Sequence, residues 1–215
     1  MTFQEKLQKL KEKIESNLSQ EQLSIMHGAT QKLKDSGIQD NVLKVGTQMP
    51  SFTLPNQNGK MIDSAELLQK GLLFITFYRG FWCPYCNTDL ANLNHYVSSI
   101  EQAGGTLLAI SPELPEYSQR VIEKQHLKFD ILTDKGNLVA EKFGLKFHLP
   151  DDLIGVYRDD FNIPLDQYHG DEEWALPMPA RFLIDEGGII QFAESNPDYT
   201  QRPDPEPVVD LLEQL

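Results

Sequence analysis

The seven residues Leu72–Tyr78, LLFITFY, constrain this chain more than any other stretch. The run is continuously apolar apart from one threonine, rich in β-branched and aromatic side chains, and far too short to span a bilayer. A run of that kind marks a strand covered on both faces, and such strands sit in sheets flanked by helices on either side. GGTLLAIS at 104–111 and KFDILTD at 128–134 read as two more. The helical patterns PEYSQRVIEKQH and NLVAEKFG follow them, the second closed by Gly144. ARFLIDEGGIIQFA, 180–193, reads as a hairpin turning at Gly187-Gly188, and PEPVVDLLEQL as a terminal helix. The order implies an α/β fold in three layers, with a central mixed, mostly parallel sheet and an antiparallel hairpin at its edge.

Before the first strand, Phe3, Leu7, Leu10, Ile14 and Leu18 recur at helical spacing. Ser19 is placed to cap a second helix from about Gln20 to Asp35, ended by Gly37. The single apolar stripe of this hairpin must pack on its own domain or on a second copy of the chain, as in a homodimer. PSFTLPNQNGK is expected to form a short hairpin turning at Asn58-Gly59, and SAELLQKG a short helix capped by Ser64. Residues 147–178 read as irregular, acidic and aromatic. The expected organisation is a helical extension over 1–44 and one domain over 45–215, with an acidic insertion at about 147–178.

The buried run leads into the only two cysteines of the 215 residues, Cys83 and Cys86, in YRGFWCPYC. A helix is expected from them to about Ile100. A thiol at the start of a helix meets free backbone N–H groups and the positive end of the helix dipole, which favour thiolate. Pro84 suits the first helical turn, where no N–H is missed. Arg79, four residues ahead of Cys83, can add positive charge, and Trp82 can shield one side of the sulfur. A zinc site would need two further ligands, and none of the five histidines forms a closely spaced pair. Asp151, Asp152, Asp159, Asp160, Asp171, Glu172 and Glu173 fit no calcium-loop spacing and read as a solvated acidic loop. Trp174 and Tyr168 either line the cleft or pack that loop down. His148 and His169 are unassigned.

A formal net charge of −13 disfavours nucleic acid and anionic membrane surfaces as partners. The charged N-terminus lacks the apolar core of a signal peptide. The expected location is therefore the cytoplasm, where a close cysteine pair is more often catalytic, redox-active or metal-binding than structural.

VGTQMPSFTLPNQNGK, LLFITFYRGFWCPYC, LLAISPE, FDILTDKGNLVAEKFGL and PARFLIDEGGII occur in an order and spacing that resembles the thioredoxin-fold superfamily. Within it they resemble the peroxiredoxin-like alkyl hydroperoxide reductase/thiol-specific antioxidant (AhpC/TSA) group, over about residues 46–195. That resemblance implies a thioredoxin-like domain and a thiol-based antioxidant oxidoreductase with no metal or organic cofactor. It further implies a small-molecule peroxide or disulfide as substrate and a thioredoxin- or glutathione-type reductant. The chain departs from the group's site. Its Pro-x-x-x-Thr/Ser-x-x-Cys motif places the proline at Arg79, the threonine at Cys83 and the peroxidatic cysteine at Cys86, while its distant arginine falls near Pro179. Arg79 and Arg181 are the candidates to replace that arginine.

Cys83-Pro84-Tyr85-Cys86 instead resembles a glutaredoxin active site, and Pro179 stands where such folds carry a cis-proline. The buried acid that thioredoxins carry six residues before the first cysteine would be Phe77, so proton transfer to the second thiol must use water or another group. Helix position makes Cys83 the attacking sulfur, and the peroxiredoxin register makes it Cys86. The second functional expectation is a dithiol sensor whose oxidation changes how the N-terminal helices or the acidic loop meet a partner.

Overall fold

In the computed structural model, which describes residues 1–212 and 214–215, the LLFITFY run is the middle of the molecule. Strand β3 (Leu72–Phe77) is buried along its whole length. It pairs in parallel with β4 (Gly105–Ser111), which pairs in parallel with β5 (Asp130–Thr133). On its other side β3 pairs antiparallel with β8 (Ala180–Ile184), and β8 with β9 (Ile190–Ser195). The five-stranded order is β5-β4-β3-β8-β9. The sheet is mixed, its parallel part confined to β3, β4 and β5, because only those strands are joined by helical crossovers.

Two cores line its faces, fed by alternate side chains of the same strands. One holds Phe74, Leu107, Ala109, Ile131 and Leu183 beneath α4 (Pro84–Leu93), α5 (Val97–Gln102), α6 (Pro115–Gln125) and α10 (Glu206–Leu212). The other holds Leu73, Ile75, Phe77, Ile110, Leu132, Phe182 and Ile184 against α3 (Ser64–Leu68) and α7 (Leu138–Lys142). A short hairpin, β1 (Thr53–Pro55) and β2 (Met61–Asp63), precedes α3. Asp63, not Ser64, caps α3, its carboxylate accepting from the N–H groups of Ala65 and Glu66.

The expected single helix from the cysteines to Ile100 is two helices, α4 and α5. Asn94 ends the first, its side chain donating to His126 O and accepting from Lys128 N. Such side-chain bonds compete with helical ones.

The N-terminal helices are α1 (Phe3–Glu15) and α2 (Gln20–Asp35), each with a reciprocal capping box, from Thr2 and Ser19. Phe3 and Leu7 of α1 enter the core beneath α4. Ile25, Met26 and Ala29 of α2 lie on a satellite cluster formed by Leu149, Leu153, Val156, Tyr157, Leu165 and Leu176. That cluster corrects the irregular reading of 147–178. The segment contains β6 (Lys146–His148), α8 (Asp151–Gly155) running into a π-helical turn at Val156–Asp160, α9 (Leu165–His169) and β7 (Ala175–Pro177), which pairs with β6. Each piece is too short to show a hydrophobic period in the sequence.

After β9 the chain returns to α1 and α4 as a strap, residues 196–205, which turns at 197–200 and is extended beyond. It is tied by Asn196 N–H to Pro179 O and by Gln4 to Arg202 O, and is anchored by Val208, Val209 and Leu212 of α10. Pro203 and Pro205 keep it extended until α10 can start.

Candidate active site

The strand β3 hands over to α4 through Tyr78–Trp82. Cys83 is the N-cap residue of α4 and Pro84 its first helical residue. The turn is pinned by Cys83 N–H on Gly80 O (3.1 Å), by Asn87 Nδ2 on Phe81 O (2.6 Å) and by Phe81 N–H on a carboxylate oxygen of Glu113 (2.8 Å). Gly80 has φ +151°, and a Cβ there would lie 2.4 Å from Trp82 Nε1 and 2.7 Å from Glu113 Oε1. Only glycine lets the turn close this tightly. Both cysteines are free thiols and both are buried.

Arg79 is buried in an aromatic cage. Its guanidinium carbon lies 4.0 Å from the Tyr199 ring centroid, 4.9 Å from Trp82 and 5.7 Å from Tyr157, and its Nη2 donates to Tyr157 Oη at 2.6 Å. Among the described residues it has no carboxylate partner. A buried cation without a carboxylate calls for another negative group, and the Cys83 thiolate beside it is that group. Tyr157 comes from the π-helical turn, whose irregular pitch aims its hydroxyl at the site.

Arg202, on the strap, serves the second cysteine. Its Nη2 donates to Cys86 Sγ at 3.3 Å, and its Nε lies 3.5 Å from Asp89 Oδ2. The other oxygen of Asp89 is held by Arg181, which also donates to Pro203 O at 2.7 Å. Arg181 is thus a strut between α4 and the strap, and Arg202 occupies the position by the dithiol for which Arg181 was considered.

These charges separate the two thiols. Burial pushes Cys83 up, but donation from Cys86 and the Arg79 and Arg202 guanidiniums outweigh it and bring its pKa down to about 6. Cys83 is thereby favoured as thiolate near neutral pH. Burial raises Cys86 well above the ordinary thiol range, and the Cys83 charge raises it further. One sulfur is a nucleophile at neutral pH and its neighbour holds a proton.

Cys83, only 1% exposed, nevertheless forms part of the floor of a groove of about 460 Å³. Leu10, Ile14 and Leu18 wall it on one side, Tyr157, Phe161 and Ile163 on the other, with Trp82, Pro84, Tyr85 and Tyr199 between. The walls therefore come from the N-terminal helices and from the 147–178 segment. Cys86 does not line it.

The structure brings Cys83, Cys86, Arg79, Trp82, Pro84 and Tyr85 together. Pro179 lies on the other side, lining a smaller cavity with Asp89, Arg181 and Arg202, and the peptide before it is trans. The cis expectation is corrected: Pro179 continues the extended path from β7 into β8, where a trans bond suffices. Tyr168 does not line the groove; its ring lies 4.9 Å from both Phe81 and Tyr117 and packs the active-site turn against α6. Trp174 packs on the satellite cluster. His169 is buried, which lowers its pKa to about 4 and keeps it neutral. The acidic side chains of 151–173 are largely exposed, and among the described residues no three potential ligands converge on a metal site. Arg202, Asp89, Tyr157, Tyr199 and Glu113 were not picked out by the sequence.

A dithiol at the N-terminus of a helix that follows the central strand of this sheet defines a thiol-dependent oxidoreductase on a thioredoxin-like fold. The chain belongs to the AhpC/TSA family, whose model matches residues 45–193, and is a peroxiredoxin-like antioxidant oxidoreductase. It is 38% identical over 126 residues to the putative peroxiredoxin bcp of Haemophilus influenzae, covering 57% of this chain and 81% of that one. It is 31% identical over 129 residues to peroxiredoxin Bcp of Escherichia coli strain K12, covering 59% and 82%. Among solved structures, peroxidoxin BcpB of Mycobacterium tuberculosis superposes with a TM-score of 0.63 at 18% identity, covering 80% of this chain and 98% of that one. That likeness shows the fold. Among the described residues, no helix is long and apolar enough to cross a membrane.

Proposed function

We propose that the chain reduces peroxides at Cys83, with Cys86 as the resolving thiol and a thioredoxin-type dithiol as reductant. One observation carries the assignment: Cys83 lies in the groove with its charge held by Arg79, while Cys86 lies behind it, protonated and bonded to Arg202. The Cys83 thiolate attacks one peroxide oxygen, the O–O bond breaks, and the departing alkoxide or hydroxide takes a proton. Arg79 lies where it can stabilise that departing oxygen as well as the thiolate. Cys86 then attacks the Cys83 sulfenic acid, water leaves, and the Cys83–Cys86 disulfide forms. A dithiol reductant restores both thiols.

The apolar walls favour organic over inorganic peroxides. They also assign a role to the two segments outside the usual domain: residues 1–44 and about 147–178 enclose the thiol and shape what reaches it. The opposite assignment, Cys86 as attacker, is favoured by the family register and by the Arg202 contact alone.

Rapid mixing of the reduced protein with hydrogen peroxide and with cumene hydroperoxide tests the reading, Trp82 fluorescence reporting oxidation. Cys86→Ser is expected to oxidise rapidly and accumulate sulfenic acid at Cys83, detected by mass spectrometry after trapping. Cys83→Ser is expected to react no faster than a free thiol. The reverse pattern would assign attack to Cys86. Slow oxidation of both, with a change in oligomeric state on oxidation, would leave a sensor.

A further inference from the structure

The fold supplies a buried acid where the sequence offers none. Glu113 lies two residues after β4 and is 0% exposed. Its Oε1 accepts from Phe81 N–H, two residues ahead of Cys83, at 2.8 Å. Its Oε2 and the hydroxyls of Tyr78 and Ser118 make no hydrogen bond of good geometry, though Tyr78 lies close enough to interact with both Glu113 and Ser118. A buried carboxyl, tyrosine and serine that meet only one another, without good hydrogen bonds, under one active-site turn is an expensive arrangement for a structural role alone. One hydrogen bond to Phe81 could be made by a serine or an asparagine without burying a carboxyl.

We propose that Glu113 is the proton carrier of the dithiol, protonating the Cys86 sulfur when the Cys83–Cys86 disulfide is reduced and taking that proton back when the disulfide forms. The inference rests on the dithiol reading above and deepens it. In reduction, an external thiolate attacks Cys83 Sγ and a new S–S bond forms. The Cys83–Cys86 bond breaks, and its electron pair goes to Cys86 Sγ together with the Glu113 proton. The second thiol of the reductant then displaces Cys83 as thiolate, and Glu113 recovers a proton from solvent. For oxidation Glu113 first gives up its proton to solvent, then takes the Cys86 proton as Cys86 attacks the sulfenic acid, and the departing hydroxide takes a proton from solvent and leaves as water.

The groups around Glu113 agree with this role. Burial, helped by the Cys86 charge and opposed by the Phe81 N–H and the Tyr78 hydroxyl, raises its pKa to about 8. It therefore carries a proton at neutral pH, available to the more basic Cys86 sulfur when the disulfide opens. Tyr78 just after β3, Tyr168 of α9 and Cys86 of α4 are the other titratable groups that interact with it. Ser111 and Ser118 are the polar neutral neighbours. Burial lifts both tyrosines above their usual range, so neither competes for the proton near pH 8.

The test is the pH profile of disulfide reduction by dithiothreitol, corrected for reductant thiolate, in wild type and Glu113→Gln. The glutamine keeps an acceptor for Phe81 N–H. The expected result is an inflection near pH 8 in wild type that is lost in the variant, with reduction at pH 7 slower by about tenfold or more. Equal rates and a shared profile would overturn the proposal. Infrared difference spectra of the wild type need no variant. A protonated carboxyl band that titrates near pH 8 and shifts on disulfide formation supports the proposal, and a band indifferent to oxidation refutes it. Sulfenic acid formation at Cys83 is read separately. Its absence in Cys86→Ser would sink the peroxidase reading while the reduction comparison still decides the role of Glu113.

Discussion

Arg202 Nη2 donates to Cys86 Sγ across 3.3 Å, and the residue that does so lies 116 positions away, on a strap that follows the last strand. The contact couples the C-terminal segment to the dithiol, because the same guanidinium leans on Asp89 of α4. Removing it with Arg202→Met takes positive charge from both sulfurs, so the Cys83 pKa rises from about 6. Alkylation of Cys83 by iodoacetamide at pH 6.5 is expected to slow several-fold and to approach the wild-type rate at alkaline pH. Asp89 keeps Arg181 as a partner, so the loss of stability should stay near about 1–3 kcal/mol, read from urea denaturation.

Arg79 acts on Cys83 without a competing carboxylate, so its removal should cost more reactivity than stability can explain. Arg79→Gln keeps a donor for Tyr157 but loses the charge. We expect the thiolate absorbance of Cys83 to titrate about one unit higher, equivalent to about 1.4 kcal/mol of lost thiolate preference. Arg79→Lys should recover only part of it, because an ammonium cannot spread over the Tyr199, Trp82 and Tyr157 rings as a planar guanidinium does. An unchanged titration in Arg79→Gln would remove Arg79 from the mechanism.

Glu113 also predicts a pH dependence of stability with a definite sign. Its folded pKa, about 8, lies above the ordinary carboxyl value of 4.5, so the folded state binds its proton more tightly than the unfolded state. Its contribution is full below the unfolded pKa and is lost as pH rises through the folded one. Relative to Glu113→Gln, the reduced wild-type protein is therefore expected to lose stability between about pH 5 and pH 8. A urea midpoint difference between the two proteins that is flat over that range would contradict the raised pKa.

The central strand, the crossover helices, both N-terminal helices and the dithiol were legible because each rests on a local signal: an apolar run, a helical period, a capping residue, a three-residue spacing. The partners of the dithiol were not. Arg202 reads as one charge in the proline-rich QRPDPEP, and its role depends on where the strap meets α4. Glu113 reads as a turn acid in SPELPE. Its burial comes from lying at the end of a central strand with α6 starting beside it, which sequence spacing does not encode. Tyr157 was one aromatic among many in a segment whose elements of three to five residues carry no period. Pro179 was misread for the opposite reason, a local motif outweighing an extended backbone that accepts the ordinary trans bond.

The groove supplies the last prediction. Leu18, from the turn after α1, and Ile14 of α1 line it together with Phe161 and Ile163, and neither is among the groups that set the Cys83 charge. Leu18→Glu places a charge in that wall and exposes nothing of the core beneath α4, so folding should be little affected. If the apolar surface binds the organic part of the substrate, the substitution should lower kcat/KM for cumene hydroperoxide several-fold, mostly through KM. The rate with hydrogen peroxide, which makes no use of the wall, should stay the same. Burying a phenyl-sized group is worth about 1.5–3 kcal/mol, enough for a tenfold effect if most of it lies against this wall. Equal losses with both peroxides would mean that the N-terminal helices shape the site itself and not what enters it.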